Sequence, residues 1–532
     1  MSRVTFRRRR RAPDRAIHSP LGPFLAMRDS LDVTASRRER ARLLRNMYPL
    51  EPHHTGRVVG RPGVTGLGAQ LASGADVQWI GQFTKIDGTE YSVAIVGGRI
   101  FTLNWGTSAW TEVVTAANLA TASVTLSTTA KIRCVVFADE LIVSDGVNTP
   151  FAWDGTTGAG GLTSLTNAPV FYGQPVVHYG KLFGINNANR AEIQWSEEAQ
   201  PNTGYDAGGY NNAWELRQTD TNALVRLVPT NESLYVFRER SITEIFGEVT
   251  TNFSSTGTRE SVSSTIGTKA PDSVIYANRY IVFADADGNP YYLAPGGTPT
   301  PMFEDFHETL DTFDPTCFCD VEASTEPSLD LIVMGYKGVN DTDLGQQLGF
   351  HFEGGHPPFP VSVLTGYEAK RFGILKNADG EPTAVHGTTD GYLLEHKTPD
   401  DNVWNDVLPA GTVPISHAVH TNFAGLAEQV ESHFDRADFL VFARSDATIT
   451  VRGQTDQALG DSLVLSYEGE AADWDVAVWD TDVWAGYGIE HVSVGLNEFG
   501  RYCGLNIEHE ALGERFGFIS GQIRHRPLNT YR

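Results

Sequence analysis

The sequence predicts a mainly β protein: a β-propeller of six to seven blades, a β-sandwich or barrel platform domain, and a short N-terminal helix behind a basic arm. Three observations predict it. A short phrase of alternating apolar residues returns seven times along the middle of the chain. The 532 residues include 53 Gly and 10% aromatic side chains, which suits many turns between short strands. From about residue 413 the texture changes but stays rich in strand patterns.

The phrase reads Gly98-Arg-Ile-Phe-Thr-Leu, then Glu140-Leu-Ile-Val-Ser, Lys181-Leu-Phe-Gly-Ile and Ser233-Leu-Tyr-Val-Phe. It continues as Arg279-Tyr-Ile-Val-Phe, Asp330-Leu-Ile-Val-Met and Gly391-Tyr-Leu-Leu. Counted from Arg99, the steps are 41, 41, 52, 46, 51 and 61 residues. Each unit is a small antiparallel sheet that cannot bury both faces alone. Sheets must therefore stack, and a ring of them closes the exposed ends. In the first unit Tyr91-Ser-Val-Ala-Ile-Val alternates, Gly97-Gly98 makes a hairpin, and Ile100-Phe-Thr-Leu returns. The propeller is expected over 76–412.

Ahead of it, residues 1–35 read as an arm. Arg7, Arg8, Arg9, Arg10 and Arg11 repel one another and have no core to join. The run is either a solvated tail or an anion-seeking arm that meets nucleic acid or an acidic neighbouring subunit. Residues 1–61 hold 15 Arg and 5 acids, a net of +10; the remainder, with 26 basic and 60 acidic residues, carries −34 of the overall −24 balance. A basic arm on an acidic body suggests an assembly protein whose arm docks elsewhere.

A helix is expected over 36–47, with Ser36 as cap, Glu39 completing a capping box, and Leu43, Leu44 and Met47 on its apolar edge. Pro49 ends it, and Arg61-Pro62-Gly63 turns the chain after a short strand. This stretch, 36–75, is assigned to the platform. So is the C-terminal β-domain, 413–532, where Trp474, Trp479 and Trp484 recur at steps of five. Those rings serve either core packing with one interface-facing ring or a ligand-stacking platform.

Candidate chemical sites are few. Cys134, Cys317, Cys319 and Cys503 are too scattered for a disulfide framework. Cys317 and Cys319 read as half a zinc site or as two thiols on one side of a strand. Asp285, Asp287 and Asn289 read as a partial calcium loop or as a hairpin turn, and Asn340, Asp341 and Asp343 share that ambiguity. His53 and His54 follow a proline and give little; His351 and His356 suggest a metal or, more simply, a loop with surface histidines. Thr102-x-Asn104-x-Gly106-x-Ser108-x-Trp110 resembles the structural Asp-box turn of sialidase-type propellers, with Asn for Asp. Gly-x-Ser-x-Gly, phosphate-loop and His-Glu-x-x-His motifs are missing. No enzyme, catalytic residue, metal or cofactor is therefore assigned. No apolar run approaches the roughly 18 residues that span a membrane, and no h-region follows the first arginines, so folding in a cytoplasm is expected.

The order of parts resembles the tail nozzle proteins of short-tailed bacteriophages, also called tail hub or tail tubular proteins. The residues that carry the likeness are the basic segment, Asn46-Met-Tyr-Pro, the Gly-x-Val-x-x-Arg-Pro-Gly pattern ending at Arg61-Pro62-Gly63, the repeats, and the Trp-Asp-rich end. The resemblance implies a structural virion protein of the viral tail, assembled in the host cytoplasm. It implies a homo-hexamer ring below the head-to-tail adaptor, with terminal segments forming a platform around a channel for DNA ejection. Tail spikes or fibres would attach outside, and double-stranded DNA would pass without sequence specificity. Arg7 to Arg11 would contact the adaptor or nucleic acid; Arg61, Pro62, Gly63, Trp474, Trp479 and Trp484 would serve platform or subunit contacts. An acidic wall would repel phosphate in transit. The alternative is a carbohydrate-binding or glycan-cleaving propeller, and a third reading is an intracellular repeat scaffold.

Overall fold

The computed structural model describes residues 17–21, 26–27, 40–50, 57–72, 74–206, 212–216, 222–249, 258–303, 306–351, 361–367, 369–398, 401, 403, 405–421, 423–425, 431–443, 448–466, 489–510 and 516–528. The chain forms two compact units: one of residues 1–61, 360–362 and 414–532, the other of 62–359 and 363–413.

The second unit is a seven-bladed propeller. Its first blade pairs Val77–Thr84, Glu90–Val96, Arg99–Asn104 and Ala109–Val114 in sequence order. The second blade does the same with Arg133–Phe137, Glu140–Ser144, Phe151–Trp153 and Leu162–Ser164. The third starts at Phe171–His178, the fourth at Leu224–Pro229, the fifth at Ile275–Ala277 and the sixth at Glu322–Glu326. The seventh runs Arg371–Lys376, Pro382–Gly387 and Leu393–His396, and its fourth strand is Val64–Gly66 from the start of the unit. Thr65 faces Glu395 in that antiparallel pair, and Asn405–Leu408 adds a parallel strand on its other side.

Short hairpins explain the recurring phrase. Gly97-Gly98, Ala138-Asp139, Tyr179-Gly180 and Asn278-Arg279 are two-residue turns with both φ angles positive, the twist that matches flanking strands. The phrase follows each turn. It is the second strand of blades two to six and the third strand of blades one and seven, so its spacing lengthens toward the end.

Buried apolar side chains link successive sheets. Phe83 and Ile95 of the first blade pack with Val143 and Trp153 of the second. Phe137 and Ile142 meet Phe171 and Leu182, and Phe183 and Trp195 meet Leu227 and Val236. Phe237 meets Phe283 with ring centroids 5.1 Å apart. The Tyr336 hydroxyl of the sixth blade donates to the Gly288 carbonyl of the fifth at 3.1 Å. Leu331 and Val333 share a cluster with Val64 and Leu394, and Leu375 and Val385 of the seventh blade close on Val77 and Ala94 of the first. These contacts close the ring from the seventh blade back to the first.

The other unit holds two larger antiparallel sheets and a short parallel pair, Ala26–Met27 with Arg40–Ala41. One carries Ile489–Gly500, Ser432–Ala443, Phe516–Pro527, Arg57–Gly60 and Met47–Leu50 in that order, with Ile17–Leu21 also on Phe516–Pro527. The other carries Leu43–Arg45, His417–His420, Tyr502–His509, Thr448–Thr455 and Leu463–Ser466. Phe434, Phe439, Val451, Leu505, Ile507 and Phe518 are buried in it.

Three expectations change. Residues 40–50 are strands, not the helix expected over 36–47; Ser36 and Glu39 lie outside the described residues. Leu44 and Met47 are buried, and so is Arg42, which donates to the Thr421 carbonyl, Gln454 Oε1 and Asn506 Oδ1 at 2.7–2.8 Å. Pairing with distant strands outweighs the local helical pattern. Val64–Gly66 belongs to the propeller, which therefore begins ahead of residue 76. Cys317 and Cys319 sit on the 3-10 turn Pro315–Asp320 rather than on a strand.

Candidate functional site: a cation-rich cavity on the propeller axis

The innermost strand of every blade contributes to one cavity of about 210 Å³. Trp79, Arg133, Gln174, Arg226, Glu322 and Arg371 come from six blades, and Asp272 comes from the turn Pro271–Ser273 that enters the fifth. Lys131 lies just before the second blade's first strand. Bulges bring several of these side chains in. The strand register shifts between Val77 and Trp79, between Tyr172 and Val176, and between Leu224 and Arg226. A bulge inserts a residue and re-aims its neighbours, here at the axis.

The polar groups form a connected set. Arg133 grips Asp272 with two bonds, Nε to Oδ1 and Nη2 to Oδ2, both 2.8 Å. Lys131 Nζ is 3.2 Å from Asp272 Oδ2 and 4.0 Å from Glu322 Oε2. Arg371 Nη1 donates to Glu322 Oε2 at 2.7 Å, and the Phe372 amide donates to Glu322 Oε1 at 2.9 Å. Burial pushes the Asp272 carboxyl up, but Arg133 and Lys131 outweigh it and hold Asp272 well below the usual carboxylate range.

Arg226 differs from its neighbours. Its Nε and Nη1 are buried and no protein group accepts from them. Burial draws its pKa from 12.5 down to about 10, with Asp272 opposing and Arg133 assisting. It stays charged at neutral pH. The lining thus carries four cations, Lys131, Arg133, Arg226 and Arg371, against two carboxylates, Asp272 and Glu322. Both carboxylates are already held by cations, which suits binding of an anion better than acid–base work by a free carboxyl pair.

None of these residues stands out in the sequence, because the apolar phrase marks the second or third strand and the cavity is lined mostly from the first. Aligning the first strands would bring Lys131-Ile-Arg133, Glu322 and Arg371 into register.

The sequence-derived candidates among the described residues do not line this cavity. Arg7 to Arg11, His53, His54, His356, Trp474, Trp479 and Trp484 fall outside the described residues. Arg61 is 1% exposed, and its Nε donates to Asn46 Oδ1 at 3.1 Å. Pro62 and Gly63 are buried as well. The Gly63 amide donates to the Val403 carbonyl at 2.8 Å, and a Cβ on Gly63 would stand 1.8 Å from the Asn405 carbonyl oxygen. Asp285 closes a hairpin: its Oδ1 accepts from the Asp287 and Asn289 amides at 2.8 and 2.9 Å, with Gly288 at φ 82°. The Asn104–Ser108 segment is likewise a turn, between Arg99–Asn104 and Ala109–Val114. His351 is not a surface loop residue. It ends the buried strand Gln346–His351, and desolvation lowers its pKa to about 3. Among the described residues, no group of three or more His, Cys, Asp or Glu side chains is placed to hold a metal. No described helix is long and apolar enough to cross a membrane.

No protein-family model matches the chain, and comparison with curated proteins finds no match. Among solved structures, the extracellular domain of a one-component system from B. thetaiotaomicron aligns with a TM-score of 0.37 and 12% identity, over 63% of this chain and 40% of that one. BamB from Moraxella catarrhalis gives 0.37 and 10%, over 66% and 95%. PorZ, a surface component of the type-IX secretion system of Porphyromonas gingivalis, gives 0.35 and 8%, over 76% and 46%. Likeness this weak carries neither a function nor a partner to this chain, and the propeller stands on its own seven sheets.

Proposed function

We propose that this chain is a non-catalytic structural protein of a phage tail, the nozzle or hub ring below the head-to-tail adaptor. One observation carries the reading: strands from before and after the propeller, such as Ile17–Leu21 and Phe516–Pro527, join a single β unit, and the propeller is inserted between them in sequence. Ser19 pairs with Ile523, Val59 with Gly517, and Val419 with Leu44. A platform made by the terminal segments, bearing a propeller as an insertion, is the arrangement that the nozzle resemblance implies. Among the described residues the unit also has an edge strand, Leu463–Ser466, with Leu463 and Val464 exposed. Such an edge suits strand addition from a second copy of the chain. The −34 balance beyond residue 61 suits a surface that DNA passes without binding.

Electron microscopy of the purified full chain tests this. Six-fold rings with a central pore are expected, and a uniform monomer at micromolar concentration in every condition tried would defeat the proposal. Val464→Asp should shift rings toward monomers. Removing residues 1–35 should weaken attachment to the adaptor with the propeller still folded; unchanged attachment would remove the arm from the mechanism.

A further inference from the structure

We infer that the axial cavity of the propeller is a binding site for one compact, doubly charged oxyanion of the phosphate or sulfate class. Charge is the first argument. Four cations and two carboxylates line one cavity, and a dianion matches the two positive charges left over. Hydrogen bonding is the second. Asp272 is taken by Arg133 and Lys131, and Glu322 by Arg371, which leaves Arg226 with buried donors and no protein acceptor. A guanidinium N–H donates readily to an oxygen of a phosphate or sulfate. Size is the third. A volume of about 210 Å³ has room for a compact tetrahedral ion together with waters. The strand bulge before Arg226 is the fourth, since a bulge interrupts ladder pairing and here delivers this side chain to the axis.

The site is independent of whether the chain assembles into a ring. Thermal unfolding of the full chain in rising inorganic phosphate, with ionic strength held constant by sodium chloride, tests it. Wild type should show a saturable rise in Tm of about 2–4 °C, and Arg226→Met should show none. In chloride alone Arg226→Met should be at least as stable as wild type, because it removes a buried charge without an acceptor. Sulfate should act like phosphate, acetate more weakly, and glycerol phosphate should report whether an ester is also admitted. An equal rise in both proteins would show a general salting effect and overturn the inference, as would no rise in wild type. Should Arg226→Met fail to fold, calorimetric titration of wild type with phosphate decides: one ion per chain supports the site, none overturns it. Arg226→Lys, which keeps the charge and loses the guanidinium donors, should bind about tenfold more weakly.

Discussion

The second and seventh blades have the same four-strand plan and reach it by opposite routes. The second takes Arg133–Phe137, Glu140–Ser144, Phe151–Trp153 and Leu162–Ser164 in one pass, each strand a short hairpin or loop from the last. The seventh borrows Val64–Gly66, whose partner residues are 330 positions away, as Thr65 opposite Glu395 shows. A local blade is encoded by turns. A closing blade needs the ring to have brought its two ends together, so loop-closure entropy is met before its contacts form. The closing strand is short for that role, three residues, and its entry depends on backbone packing at Gly63 more than on side chains.

Four substitutions can break or sharpen this contrast. Trp153→Ala empties the centre of a local blade, where the indole is fully buried against Phe83 and Tyr91. It should cost about 3–5 kcal/mol in denaturant unfolding. Faster amide exchange should be centred on the first and second blades. Gly63→Val should cost about 3 kcal/mol, the upper end of overpacking, because the obstacle is the Asn405 carbonyl rather than a side chain that can rotate. Its faster exchange should be confined to Val64–Gly66, Leu393–His396 and Asn405–Leu408. If both variants loosened all seven blades equally, the distinction between local and closing blades would be wrong.

Asp272→Asn probes a third kind of tie, between the non-adjacent second and fifth blades across the axis. Loss of the carboxylate beside Arg133 should cost about 2–3 kcal/mol at pH 7. Asp272 has a folded pKa below its unfolded value, so its contribution is full above the unfolded value near 3.8 and is lost as pH falls through the folded one. Wild type should therefore lose stability below about pH 4 more steeply than Asp272→Asn, read as Tm against pH. The smallest effect is expected of Lys181→Ala. Its ammonium pairs with the half-exposed Glu248 at 2.8 Å, within the third and fourth blades, and such pairs contribute less than about 1 kcal/mol. A larger loss would mean that outer ion pairs, and not cores alone, hold neighbouring blades.

Histidines give a parallel pH signal. His351 is neutral in the fold down to about pH 3, whereas an unfolded histidine protonates near 6.5. Stability should therefore fall between those values as the unfolded state takes up the proton, and His351→Phe should flatten that part of the profile.

The propeller was legible because its turns and alternating strands are local. Gly97-Gly98 and the apolar bursts after it specify hairpins whatever surrounds them. The 36–47 segment misled for the same reason in reverse. Leu43, Leu44 and Met47 sit at helical spacing, yet His417–His420 and Arg57–Gly60 offer them strand partners that a local reading does not see. His351 misled because its neighbours beyond the strand, not its own loop-like context, determine its burial.

By itself, the sequence determined a mainly β chain of repeated small sheets, a change of texture near residue 413, and a basic start on an acidic body. Those properties depend on composition and on contacts a few residues apart. Tertiary structure alone decided that the blades number seven, that Val64–Gly66 closes them, and that Lys131, Arg133, Arg226, Asp272, Glu322 and Arg371 meet in one cavity. The physical reason is distance along the chain. Ring closure and the convergence of charges on an axis depend on where each inner strand ends up, and no local pattern carries that information.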